Sequence, residues 1–192
     1  MSQPIWQTTR FKLDLSQPKV MAIVNLTPDS FSDGGRHSAL SSALENAQTL
    51  LAQGADILDI GGESSRPGAA PVSLEDELNR VLPFLREAVT WNVPISVDTY
   101  KSEGMQAALD LGADIVNDIW ALRQPGARQV VSQHGQCGVC LMHMHRDPQT
   151  MLVQPMAGDV LDPIKNFLSQ QVSALIDGGV QANRIVLDPG IG

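Results

Sequence analysis

Residues 93–118 read VPISVDTYKSEGMQAALDLGADIVND, and the order of events in this stretch decides the fold. A short apolar run, residues 93–98, ends in the carboxylate of Asp98. A helical stretch begins near Lys101, a Gly-Ala-Asp corner follows at Gly112 to Asp114, and a second apolar run ends in Asn117 and Asp118. Strand, helix and strand in this order are the unit of a parallel sheet covered by helices. The same corner stands at Gly54 to Asp56, again between a helical stretch and an apolar run, so the unit repeats.

Working outward, the spacing predicts six strands at residues 20–25, 56–61, 93–98, 114–118, 137–143 and 184–188. Leu40, Ala43, Leu44, Ala47, Leu50 and Leu51 form one helical stripe, stopped by Gly54. Leu78, Val81, Leu82, Leu85 and Val89 form a second, with a capping box from Ser73 to Asp76 and a kink expected at Pro83. Ile164, Phe167, Leu168, Val172 and Leu175 form a third, closed by Gly178 and Gly179. Six parallel strands fit either a doubly wound sheet or most of a TIM (β/α)8 barrel. Polar residues favour the barrel, because nearly every strand ends in one: Asn25, Glu63 just past the second strand, Asp98, Asn117 with Asp118, His143 and Asp188. Barrels gather side chains from many strands at that face, whereas a doubly wound sheet uses one switch point.

Composition narrows the function. The 192 residues are 43% hydrophobic and 18% charged, with a net charge of −8 and no basic cluster, which argues against nucleic acid or an anionic membrane as partner. The start, MSQPIWQTTRFKLDL, lacks the apolar run of a secretory signal, so a cytoplasmic location is expected. Cys137 and Cys140 form a CxxC, but on a strand positions three apart face opposite sides, which argues against a shared metal or disulfide. His143 and His145 face one side without a third ligand at suitable spacing, and a local role at the barrel mouth suits them better.

Two loops carry the strongest chemical signal. Asn25 to Gly35 is dense in oxygen donors, Gly and Pro, and Gly61 to Gly68 sets two hydroxyls, the Arg66 guanidinium and glycine-rich amides ahead of a helix. Free N–H groups and an arginine together suit a phosphate. A plain turn remains the simpler reading of either loop alone. Asp98 and Asn117 combine acceptors with a donor, a pattern able to read a heterocycle with alternating donors and acceptors. The competing reading of Asp98 or Thr99 is a cap on the helix that follows.

The motifs NLTPDSFSDGG at 25–35, ESSRPG at 63–68, SVDTYK at 96–101, NDI at 117–119, LMHM at 141–144 and DPGIG at 188–192 together resemble the dihydropteroate synthase family. The resemblance implies an eight-stranded βα barrel of which this chain carries about six units, so residues 1–192 are expected to form one pterin-binding barrel domain, incomplete at its C-terminal side. It implies a transferase of folate biosynthesis that joins 6-hydroxymethyl-7,8-dihydropterin diphosphate to 4-aminobenzoate, releasing pyrophosphate, in a homodimer that binds small molecules and is inhibited by sulfonamides. Residue by residue, it implies that Asp98, Asn117 and Asp188 bind the pterin, that Met142 and Ile119 contact its ring, and that Asn25 binds Mg²⁺. Ser65, at a position usually Thr, and Arg66 would contact diphosphate and aminobenzoate, while Phe31 and Asp33 would close over the substrates. Asp33 and Arg66 are the expected catalytic residues, the first stabilising a pterin methylene cation and the second the departing diphosphate. The family's remaining contacts, a Lys, an Arg and a His, lie beyond its sixth strand. Two other readings stay open: a related barrel that moves a methyl group from a folate to a corrinoid, and a pterin-binding fragment without turnover.

Overall fold

The computed structural model describes residues 3–27, 36–64, 68–147, 150 and 156–191. An antiparallel hairpin, β1 (Ile5–Gln7) and β2 (Lys12–Asp14), precedes a parallel sheet of β3 (Met21–Asn25), β4 (Ile57–Gly61), β5 (Ile95–Asp98), β6 (Ile115–Asp118), β7 (Gly138–Met142) and β8 (Ile185–Asp188). Between consecutive strands of the sheet run α1 (Arg36–Ala52), α2 (Leu74–Ala88), α3 (Ser102–Asp110), α4 (Ala127–Gln133) and α5 (Leu161–Asp177). Each strand pairs with its successor, in the order β3-β4-β5-β6-β7-β8. A doubly wound sheet would reverse at a switch point, and this one does not, so the winding is that of a βα barrel. All six predicted strands are present, each within two residues of its expected limits.

Alternation along the strands gives the sheet two faces. Val24, Leu58, Ile60, Ile95, Val97, Val116, Val139 and Leu141 face the helices in one large core with Ala43, Ala47, Phe84, Leu85, Met105 and Leu175. Ile57, Ile115 and Cys140 face the other side, where they pack with Trp6 of the hairpin. Each Val, Leu, Ile, Phe or Met contributes about 1.5–3 kcal/mol when fully buried, and the helix-facing core has far more of them, so it dominates. Cys137 lies in the first cluster and Cys140 in the second, which places the two thiols on opposite sides, as their spacing predicts. The second helical stripe differs in detail: in α2 the buried set is Glu77, Val81, Phe84, Leu85 and Ala88, while Leu78 and Leu82 are half-buried. The Ser73 cap forms as expected, accepting from Asp76 N at 3.1 Å. α2 continues through Pro83 to Ala88 as one helix.

The Gly-Ala-Asp corners share one geometry. Gly54 and Gly112 have φ of +103° and +105°, a region that favours glycine. Each donates back into its helix, Gly54 N to Leu51 O and Gly112 N to Leu109 O, followed by Ala55 N to Leu50 O and Ala113 N to Ala108 O. This pair of bonds closes a helix on its own carbonyls. The Asp then accepts a backbone N–H from the start of the preceding strand: Val20 N to Asp56 at 2.9 Å and Ile95 N to Asp114 at 2.9 Å.

The hairpin, which composition alone did not reveal, covers the end of the sheet where the strands begin. Trp6 is buried and donates from Nε1 to Arg184 O at 2.9 Å, and Arg10 binds Asp114 through Nε at 3.0 Å and a terminal nitrogen at 2.6 Å. At the two lateral edges of the sheet, Val20, Ile23 and Leu187 are 57%, 66% and 45% exposed. Among the described residues no helix is long and apolar enough to cross a membrane.

Candidate active site

The carboxyl ends of the strands collect the polar residues. Register pairs Asn25 with Gly61, Gly61 with Asp98, and Asp98 with Asn117, so three predicted site residues and one glycine form a continuous row across β3 to β6. Adjacent strands lie about 4.8 Å apart, a spacing on the scale of a heterocycle's edge. Met142 pairs with Asp188 on β7 and β8 and carries the row on at the next level of the same face. Alternation puts all of them on the side away from the helices, because Val97, Val116, Leu141 and Ile60 beside them belong to the helix-facing core.

Asp188 is held by its own turn. Its Oδ1 accepts from Gly190 N at 2.7 Å, and its carbonyl accepts from His143 N at 2.8 Å. Gly190 has φ +68°, and a Cβ there would lie 1.9 Å from His143 O, so only glycine lets the DPG segment close onto β7. His143 is buried against Phe167, ring centroids 5.2 Å apart, and burial pushes its pKa down. Its ring therefore serves packing beside the site.

Ile119 is presented by a strained turn. Asp118, fully buried, accepts from Trp120 N at 2.8 Å and Leu122 N at 2.7 Å, and Ala121 and Leu122 adopt φ of +51° and +57°. Such values cost a residue with a side chain of order 1 kcal/mol, and the two bonds to one carboxylate offset that. Burial drives Asp118 up to about 6 against the lowering effect of those N–H groups. Although adjacent to Asn117, Asp118 faces the loop rather than the row, so the NDI motif divides into one residue for the pocket and one for its wall. Thr99 does not cap the helix as expected: the cap position is Lys101, without a side-chain cap bond, and Thr99 Oγ1 accepts from Lys101 N at 3.3 Å, ahead of the first helical residue Ser102.

A cavity of about 260 Å³ opens beside this row, lined by Asp98, Ile119, Glu63, Ser64, Tyr100 and Trp120 among others. Of the row itself Asp98 lines the cavity, and Asn117, Met142 and Asp188 share the sheet face of Asp98. One wall is an ion network that sequence reasoning passed over, although Lys101 stands within the SVDTYK motif. Lys101 Nζ binds Glu63 and Glu77, and Tyr100 donates to Glu63 at 2.9 Å. Burial opposes charge on Lys101, but the two carboxylates outweigh it and hold its pKa above the ordinary lysine value. Arg80 donates to Gly62 O at 2.8 Å, fixing the same loop from α2. Phe31, Asp33, Ser65 and Arg66 lie outside the described residues.

A second omission is Asp59, inside β4 and 5% exposed, which accepts from Asn117 Nδ2 at 2.9 Å. Its signal in the sequence is an acid in the middle of an apolar strand, at the parity that faces the row. Burial pushes its carboxyl above the usual range, against the lowering effect of Ser96 and Asn117. Among the described residues no group of three His, Cys, Asp or Glu side chains is arranged to hold a metal.

Residues 21–192 match the family model described as pterin binding enzyme. The chain is 48% identical over 194 residues to the dihydropteroate synthase of Neisseria meningitidis serogroup B, covering 100% of itself and 68% of that protein. It superposes with a TM-score of 0.87 and 48% identity on Burkholderia cenocepacia dihydropteroate synthase complexed with 7,8-dihydropteroate, covering 100% of itself and 65% of that chain. Xanthomonas albilineans dihydropteroate synthase with 4-aminobenzoic acid gives a TM-score of 0.90 at 43% identity, with 100% and 68% covered. The chain thus spans about two thirds of the length of these relatives. With the strand order, the polar row and these matches in agreement, the chain belongs to the pterin-binding enzyme family, among the dihydropteroate synthases.

Proposed function

We propose that the protein condenses 6-hydroxymethyl-7,8-dihydropterin diphosphate with 4-aminobenzoate to 7,8-dihydropteroate and pyrophosphate, as one step of folate biosynthesis. The observation that carries this is the row of Asp98 and Asn117 with Asp188 beyond it, hydrogen-bonding groups on one sheet face whose Asp98 also lines a cavity. An aminopyrimidinone edge offers N–H groups to such a set, and the two carboxylates reward a ligand that shares positive character with them. Met142 and Ile119 supply apolar contact for the ring.

In the reaction the bond between the pterin methylene and the diphosphate oxygen breaks, and the methylene carbon bonds to the amine of aminobenzoate, which gives up a proton. Arg66 neutralises charge on the departing diphosphate, Ser65 binds beside it, and Asp33 and Phe31 enclose the pterin methylene and shelter its developing cation from water. The side-chain oxygen of Asn25, a hard neutral donor on an exposed strand end, fits Mg²⁺, an ion that keeps waters and shares phosphates with the protein. Bound there, Mg²⁺ supplies positive charge at the leaving group. The working form is a homodimer in the cytoplasm, and sulfonamides compete with aminobenzoate.

The test is pyrophosphate release by the full-length protein. Release should require aminobenzoate and should fall at least about a hundredfold in Asp98→Ala, an acceptor of charge-assisted bonds. Release independent of aminobenzoate, or methyl transfer to a corrinoid instead, would overturn the assignment.

A further inference from the structure

Asn117 can read a ligand in two ways, because its side-chain amide carries a donor and an acceptor and can turn either outward. Asn117 donates from Nδ2 to Asp59 Oδ2 at 2.9 Å, across the intervening strand β5. Asp59 lies one level deeper than Asn117: register sets Asn117 level with Asp98 and Gly61, and Asp59 is two residues before Gly61 on the same face. With the amide nitrogen turned down to Asp59, the amide oxygen is turned away from the floor. Beneath the bond Ser96 faces Asp59 across the ladder. Asp59 Oδ1 and Ser96 Oγ are both fully buried and, among the described residues, make no hydrogen bond of ordinary geometry. A buried carboxylate with so few partners is costly to maintain unless its remaining bond does something the fold alone does not need.

We propose that Asp59 is a positioning residue that fixes Asn117 as an outward-facing acceptor, so that this point of the pocket demands an N–H on the ring it binds. The inference rests on the pterin-transfer reading and adds the orientation of one of its readers. In the observed geometry Asp59 Oδ2 is the acceptor and the Asn117 amide nitrogen the donor, and a carboxylate, which accepts and does not donate, holds the amide that way round. Asp98 and Asp188 then stand with Asn117 as three acceptors, and the ligand class narrows to a flat heterocycle whose N–H groups lie along one edge.

The decisive experiment measures binding of 6-hydroxymethylpterin by calorimetry in the full-length protein, comparing wild type, Asp59→Asn and the exchanged pair Asp59→Asn with Asn117→Asp. Asp59→Asn should weaken binding at least about tenfold, the scale of one charge-assisted bond, without lowering the unfolding temperature or moving the KM for aminobenzoate more than twofold. The exchanged pair restores an acceptor facing outward and should recover most of the affinity. Binding of Asp59→Asn within twofold of wild type, or no recovery in the exchanged pair, overturns the proposal. Should Asp59→Asn not fold, the side-chain NH₂ resonances of wild-type Asn117 decide: one proton shifted well downfield supports the bond to Asp59, and an unshifted pair overturns it. Asp98→Ala separates the site assignment from the role of Asp59, since undiminished binding of the pterin there would sink the site assignment itself, whatever Asp59 does.

Discussion

The two ends of the sheet treat a buried carboxylate in opposite ways. Where the strands begin, Asp114 accepts from Arg10 Nε, an Arg10 terminal nitrogen, Arg10 N and Ile95 N, at 3.0, 2.6, 3.1 and 2.9 Å. Nearer the other end, Asp59 is comparably buried, yet among the described residues Asn117 makes its one hydrogen bond of ordinary geometry, and Ser96 faces it across the ladder. The first arrangement is complete and has no capacity left for a ligand. The second is less complete, and Asp98, Asn117 and Asp188 share its face away from the helices, where Asp98 lines the cavity. In barrels of this winding one end holds the fold and the other holds the chemistry, and here the division can be read from how fully each acid is partnered.

The largest effect should come from breaking the complete end. Arg10→Ala removes the guanidinium from Asp114 and from the carbonyls of Val89 and Val93, leaving a fully buried carboxylate with backbone partners alone. A loss of about 3 kcal/mol is expected, read by urea unfolding, with pterin affinity in the folded protein unchanged. A loss below about 1 kcal/mol would mean that Asp114 is easily rehydrated and that the two ends differ less than the hydrogen bonds indicate.

The less complete end should declare itself through pH. Asp118 has a folded pKa of about 6 against an ordinary 3.8. The native state therefore holds this proton more tightly than the unfolded chain does, and stability falls as pH rises from about 4 to about 6, by up to about 3 kcal/mol in all. His143, with its pKa pushed down by burial, acts with the opposite sign. Subtracting the profile of Asp118→Asn from that of wild type isolates the carboxylate. Wild type should lose stability across this window relative to the variant, and parallel profiles would show that burial does not raise the Asp118 pKa.

How much of this was legible in the sequence depends on the range of the signal. The six strands and the polar row were readable because β-branched runs and their terminal Asn or Asp are local patterns. The hairpin was not, since Ile5–Gln7 and Lys12–Asp14 are too short for alternation to register, and what fixes them, Trp6 to Arg184 O and Arg10 to Asp114, spans long separations. Lys101 was visible as a letter of a motif, but its partners Glu63 and Glu77 come from another loop and another helix. Asp59 was hidden by its apolar neighbours, because a strand of Ile, Leu, Asp, Ile and Gly reads as core until the facing of alternate residues is asked. Glu77 on α2 was missed for the same reason, a charged residue on the buried side of an amphipathic helix whose justification is an ion partner elsewhere.

The smallest predicted effect gives the comparison its sharpest control, because the Gly-Ala-Asp corner occurs twice with different surroundings. Asp56 and Asp114 each accept the backbone N–H at the start of the preceding strand, so the corner itself is the same. They differ in their cation: Lys19 meets Asp56 at 3.1 Å with both side chains about a third exposed, whereas Arg10 meets an Asp114 that is fully buried. Water screens the first pair and cannot reach the carboxylate of the second. Lys19→Ala should therefore cost less than about 1 kcal/mol in urea unfolding, and raising the salt concentration should remove most of that difference. If Lys19→Ala instead destabilises as much as Arg10→Ala, burial is not what separates the two corners, and the cost of Arg10→Ala would have to be assigned to the loss of the hairpin's cover over the strand ends rather than to an unpaired charge.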